Sequence, residues 1–302
     1  MLKNTSLIVR FSALFALALL LIGSAYYLLL RQVYYSELQR QARSTADNVD
    51  AFGKWVSQYG RVWVKDKPDT VYLSQVSLTP ASAGAETSFF SKNPALAQRE
   101  FSEAIAKSAA RAKFRMTSDN WMNPLNKPDA FEAEAISAIK GRKLDEYVQI
   151  RDGVYRYARK IVHAESCIAC HGDVAAAPKD VTDRYGSERG YGFQAGDVAG
   201  VISVTLPMEP LLEASFKVLG PLEIGLIVLA FVILYLFMHF GVVKPIKKLT
   251  QDAEAISVGK PVDLDVTKIS QNSRNELVQL MFAVARLRTS LELAINRMKQ
   301  IR

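Results

Sequence analysis

Tyr147-Val148-Gln149-Ile150-Arg151-Asp152-Gly153-Val154-Tyr155-Arg156-Tyr157-Ala158 reads as two strands folded about a two-residue turn. β-branched and aromatic residues fill both arms. Asp-Gly between them suits the two positive-φ positions of a type I′ turn, so a tight antiparallel hairpin is expected. Outward from this hairpin, Val198 to Leu206 reads as an apolar strand, and Arg61–Lys65 and Lys113–Thr117 read as shorter ones. Lys67-Pro68-Asp69 marks a turn after the first of these. Helical patterns cover Asn93 to Lys113, opened by Asn-Pro, and Asp129 to Lys140, closed by Gly141. Strands and helices in this order predict an α+β module with an antiparallel sheet.

The second hairpin arm runs into Cys167-Ile168-Ala169-Cys170-His171, which holds both cysteines of the 302-residue chain. This is the C-x-x-C-H spacing of c-type haem attachment. Two thiols bond the two vinyl groups of one porphyrin, and the adjacent histidine reaches the iron as proximal ligand. One covalent haem c is therefore expected, on Cys167 and Cys170, with His171 on the iron. A structural zinc site needs two further ligands, and the other histidines, His163 and His239, do not form a second pair. A thioredoxin-type dithiol normally opens a helix after a buried strand. A plain disulfide is the remaining rival. Opposite His171, the candidate sixth ligands are His163, Met116 and Met122, with Met208 and Tyr59 behind them, or a vacant site. Arg156 and Arg159 are candidate propionate contacts, with solvated surface charges as the plainer reading.

Two uncharged runs flank this module. Residues 11–30 and 224–243 are each about twenty residues long, enough at 1.5 Å per residue to cross a bilayer core of roughly 30 Å. The first lacks an A-x-A-like cleavage site and reads as an uncleaved anchor. Lys3 and Arg10 before it, and Lys244, Lys247 and Lys248 after the second, place both termini in the cytoplasm. Haem attachment on the outer face of a bacterial inner membrane then places residues 31–215 in the periplasm. Residues 32–56 carry apolar positions at Val33, Leu38, Ala42, Thr45, Val49, Phe52 and Val56, predicting a helical stalk that two copies pair through. The net charge of +8 is spread along the chain without an aromatic-interleaved basic stripe, which argues against nucleic-acid binding.

Behind the second run, Ile246, Leu249, Ala253 and Ile256 follow heptad spacing as far as Gly259-Lys260-Pro261. An extended connector with Val262, Leu264 and Ile269 comes next. Leu277, Leu280, Val284, Leu287, Leu291, Ala294, Met298 and Ile301 then repeat at alternating steps of three and four, a coiled-coil seam that calls for a second chain.

Several segments resemble a family of membrane-anchored c-type haem domains. They are Phe114-Arg115-Met116-Thr117-Ser118, Asn123 to Glu132, Tyr155-Arg156-Tyr157-Ala158, Glu165 to Asp173, Gly190-Tyr191-Gly192-Phe193 and Gly196 to Gly200. The likeness spans Trp55 to Met208. It implies a PAS-like fold of the kind that precedes signalling domains. The distant cysteine that some members set opposite the histidine has no counterpart, for there is no third cysteine. Helix, connector and helix behind a span resemble a HAMP domain, with Pro245 as its early proline and Glu276 as its acidic residue. Asn275 stands where a second acid is usual. That resemblance implies a parallel homodimer.

The expected organisation is a cytoplasmic N-terminus (1–10), a span (11–30), a periplasmic PAS-like haem domain (31–215), a second span (224–243), a HAMP domain (244–293) and a coiled-coil extension (294–302). The expected function is a transmembrane haem c sensor of redox state or of a diatomic gas, relaying through HAMP to a separate cytoplasmic signalling protein. The rival is a tethered cytochrome that exchanges electrons with a periplasmic redox partner. No triad, carboxylate pair or phosphate-cradling loop suggests an enzyme.

Overall fold

The computed structural model describes residues 7–65, 71–79, 86–218, 220–262 and 275–300. The Lys67-Pro68-Asp69 turn, Leu264 and Ile269 of the connector, and Ile301 lie outside the described residues. The chain divides into two compact units, Leu29–Ala214 and the described residues of Met1–Leu28 with Ser215–Arg302.

Helix α1 is Leu7–Gln58. Three strands follow, β1 (Val62–Lys65), β2 (Gln75–Leu78) and β3 (Thr87–Lys92), forming an antiparallel sheet in the order β1-β3-β2. Helix α2 (Pro94–Lys107) begins with a proline and is capped by the Asn93 side chain, which accepts from Leu96 N–H. It stops well short of the predicted Lys113, because β4 (Lys113–Thr117) needs a connection. Helix α3 (Ala130–Arg142) starts at a capping box of Asp129 and Glu132. It runs through Gly141 and ends where Lys143 takes a left-handed conformation, φ 54°.

β5 (Glu146–Arg151) and β6 (Val154–Val162) form the expected hairpin. Asp152 and Gly153 have φ of 52° and 70°, the positive values the turn requires. After the short helices α4 (Glu165–His171) and α5 (Lys179–Tyr185) comes β7 (Val198–Pro207). The larger sheet is antiparallel throughout, in the order β4-β7-β6-β5. The unit is therefore α+β.

Side-chain alternation decides what covers each face of this sheet. Tyr155 and Tyr157 of β6, with Ile202, Val204 and Leu206 of β7, pack with Leu38, Ala42, Ala46 and Val49 of α1. Ala158 and Val201, at the intervening positions, pack with Phe131, Ala135, Ile136 and Ile139 of α3. The result is helix, sheet, helix. Ala42 and Ala46 are wholly buried, so α1 approaches the strands closely. The apolar stripe expected to pair two stalks is thus largely covered within the chain: Leu38, Ala42, Val49 and Val56 are buried, and Val33 is exposed.

Helix α6 (Leu211–Val218) begins at the end of this unit, and α7 (Pro221–Met238) belongs to the other. Residues His239–Val243 form a π-helical turn, and α8 (Lys244–Ser257) continues from it. The first part of α1 and the helix Pro221–Ser257 are each long and apolar enough to cross a membrane. Leu14, Leu20, Leu226 and Phe237 display their side chains outwards. Helix α9 (Glu276–Gln300) packs on α8, leaving Leu280, Leu287, Leu291 and Met298 exposed.

Candidate functional site

The Cys167–His171 segment lies within helix α4, which follows β6, so the setting named above for a thioredoxin-type dithiol is met and it is the adjacent His171 that sets the motif apart. On a helix, residues three and four apart share one face. Cys167, Cys170 and His171 therefore stand together, the two thiols unpaired and partly exposed. A pair of thiols and an imidazole on one helix face is the donor set that anchors a porphyrin and ligates its iron.

His171 is held from behind. Its Nδ1 lies 2.8 Å from the Gly190 carbonyl oxygen. A carbonyl only accepts, so Nδ1 carries the proton and Nε2 keeps the free lone pair that a metal takes. The loop supplying this carbonyl is strapped to the motif by Gly192 N–H to Gly172 O and Phe193 N–H to His171 O, at 2.8 and 3.0 Å. Gly190 sits at φ +86°, and a Cβ there would come within 2.5 Å of Met122 Cβ. Asn120 completes the strap by accepting from Gly190 N–H and donating to Tyr191 O.

His163 was one of three candidate sixth ligands in the sequence, and it alone comes up against His171. The ring centroids are 5.0 Å apart, and Phe193 packs edge-on against His163 at 4.6 Å. His163 is 7% exposed, and its Nε2 is buried without a hydrogen-bond partner. Burial first, then the neighbouring His171, holds its pKa down to about 4, with Asp197 opposing. Burial lowers that of His171 too, against the pull of the Gly190 carbonyl. Two neutral imidazoles suit metal ligation.

The methionines go elsewhere. Met116 sits on β4 opposite Ile202 and packs on the core between α1 and the sheet, as does Met208. Met122 lies against Gly190, on the Nδ1 side of His171. Tyr59 is exposed. The two arginines read as propionate contacts already face protein carboxylates. Arg156 donates to Asp129 Oδ2 at 2.8 Å and reaches Glu132, with its guanidinium over the Phe131 ring. Arg159 bonds Asp47 and the Ala46 carbonyl.

A charged pair with no signature in the sequence stands beside the motif. Arg61 and Asp180 form a two-bond ion pair, one arm 2.9 Å long, and Ser74 donates to the same carboxylate at 2.7 Å. Arg61 holds the Asp180 carboxyl down to about 2. Burial raises the Cys170 thiol pKa, and the Arg61 charge works against that rise. No spacing signal links residues 119 positions apart; only the fold joins them.

With this geometry in place, comparison with known proteins is informative. A family model described as Tll0287-like matches residues 31–207. Among solved structures, the chain is similar to the cyanobacterial haem protein Tll0287 at 21% identity, covering 57% of this chain and 96% of that one, with a TM-score of 0.43. Comparison with curated proteins finds no match.

Proposed function

This chain belongs to the Tll0287-like family, and from that premise we propose that it is a transmembrane haem c sensor rather than an enzyme. In this reading a PAS-like domain lies in the periplasm of a bacterial inner membrane, between two spans. A HAMP module on the cytoplasmic side then passes the signal, within a parallel homodimer, to a separate signalling protein. The observation that carries the reading is the site itself: two free thiols and a backbone-oriented imidazole on one face of α4.

Cys167 and Cys170 would hold the porphyrin. Each thiol adds across one vinyl group, its sulfur bonding one carbon and its proton passing to the other. His171 offers Nε2, while the Gly190 carbonyl fixes the tautomer and the ring plane. When bound, the haem would supply a redox-active iron able to take a diatomic ligand. The loop from Gly190 to Phe193 is tied both to His171 and, through Asn120, to the segment after β4. A shift of the His171 ring therefore pulls on the sheet that α1 covers. Helix α1 runs on into the first apolar span, giving the shift a route to the membrane. The signal needs two conformations that bind the stimulus unequally, by a few kcal/mol.

A tethered electron carrier is the second reading, and the partial exposure of both cysteines favours it, since a haem on them would sit near solvent. One experiment separates the two. Full-length protein in membranes is reduced, or treated with CO or NO, while the spectrum and bismaleimide cross-linking through Leu287→Cys are followed. A sensor changes iron coordination and cross-linking pattern together. A carrier changes redox state alone.

A further inference from the structure

His163 is the buried polar group that the anchoring chemistry leaves unused. Its backbone, directly after β6, is held in place, donating to Asp197 O at 3.0 Å and accepting from Gly196 N–H at 2.9 Å. Its ring is 7% exposed, and Nε2 has no partner. An unsatisfied buried nitrogen costs about 1–3 kcal/mol, a penalty that an apolar side chain of similar shape does not carry. Core packing alone does not account for an imidazole there.

The same loop holds both histidines. Gly190 and Phe193 bind His171 from one end of the Gly190–Asp197 segment, and Gly196 and Asp197 bind His163 from the other. Phe193 lies against both rings, at 4.6 Å from His163 and 6.3 Å from His171. With Met116 and Met208 in the core, Met122 behind His171 and Tyr59 exposed, His163 is the one candidate brought to the proximal imidazole.

Resting on the haem reading above, we propose that His163 supplies the second axial bond to the iron that His171 holds. Metal–imidazole bonds are about 2 Å long, and rings whose centroids lie 5.0 Å apart are near enough that both would reach one iron after a small separation. Release of His163, by reduction or by an entering diatomic, would then be felt directly by the Gly190–Asp197 loop and by the end of β6.

The test uses full-length protein from a host competent in cytochrome maturation, with haem content and axial ligation measured separately. Of the three histidines in the chain, His239 lies in an apolar span, so a two-imidazole signature in near-infrared magnetic circular dichroism implicates His163. The wild type is expected to be ferric low-spin with that signature. His163→Ala is expected to keep its covalent haem, lose the low-spin signal, and regain it on adding imidazole. His163→Met, as a second variant, should shift the signature to imidazole–thioether. A high-spin wild type, or a low-spin signal unchanged in both variants, overturns the proposal while leaving the haem reading intact. A wild type without haem overturns both.

Discussion

Two helices carry apolar stripes of the same spacing and meet opposite fates. In α1, Leu38, Ala42, Ala46, Val49 and Val56 are no more than 3% exposed. In α9, Leu280, Leu287, Leu291 and Met298 remain 39–68% exposed, although α8 covers the neighbouring positions. Periodicity marks a face that must be buried, and it does not say by what. Side-chain size does part of that work. The alanines of α1 allow close seating on the tyrosines of β6, whereas the leucines of α9 are knobs that need holes in another helix. Burying each such leucine is worth about 1.5–3 kcal/mol, a gain that the proposed homodimer would draw from a second copy across α9.

The sharpest way to break this contrast is to place one charge on each stripe. Val49→Asp puts an uncompensated carboxylate in the core, and the Leu29–Ala214 unit is expected to lose about 3–5 kcal/mol, read as a fall in Tm and gain of protease sensitivity. Leu287→Asp should leave that melting transition in place and reduce the dimer fraction seen in detergent sedimentation. Equal thermal losses in both variants would erase the distinction. Next in size, Asp129→Ala removes the capping box of α3 and an Arg156 partner, costing about 1–2 kcal/mol in thermal unfolding.

The smallest expected effect concerns pH. Asp180 is held down to about 2 by Arg61, against an ordinary 3.8. A depressed carboxyl stabilises the fold fully above its unfolded value and loses that contribution as pH falls through its folded one. Stability should therefore decline between about pH 4 and pH 2, by on the order of 1 kcal/mol once solvent screening is counted. Asp180→Asn should flatten this part of the acid-unfolding profile, and an unaltered slope would count against the pairing with Arg61.

The hairpin was legible because Asp152-Gly153 leaves one tight turn available, and the caps Asn93 and Asp129 marked their helix starts. β2 and β3 were missed. β2 is four residues long and exposed along its length, so no alternation betrays it. At the site, spacing singled out Cys167, Cys170 and His171 as candidates, and the fold brings all three together on α4. The pairing of Arg61 with Asp180, and the hydrogen bond from His171 to the Gly190 carbonyl, were invisible, since only tertiary structure brings these residues together. The ends of α2 and α3 also escaped: α2 stops early to leave a connection to β4, and α3 runs through the stop signal at Gly141.

Everything proposed for the site depends on covalent attachment at α4. Intact mass spectrometry of the denatured, full-length protein from a maturation-competent host tests this most directly. The account predicts a polypeptide heavier by one haem, which reverts to the bare mass when Cys167 and Cys170 are both replaced by Ser. A wild-type protein at the bare polypeptide mass would contradict it.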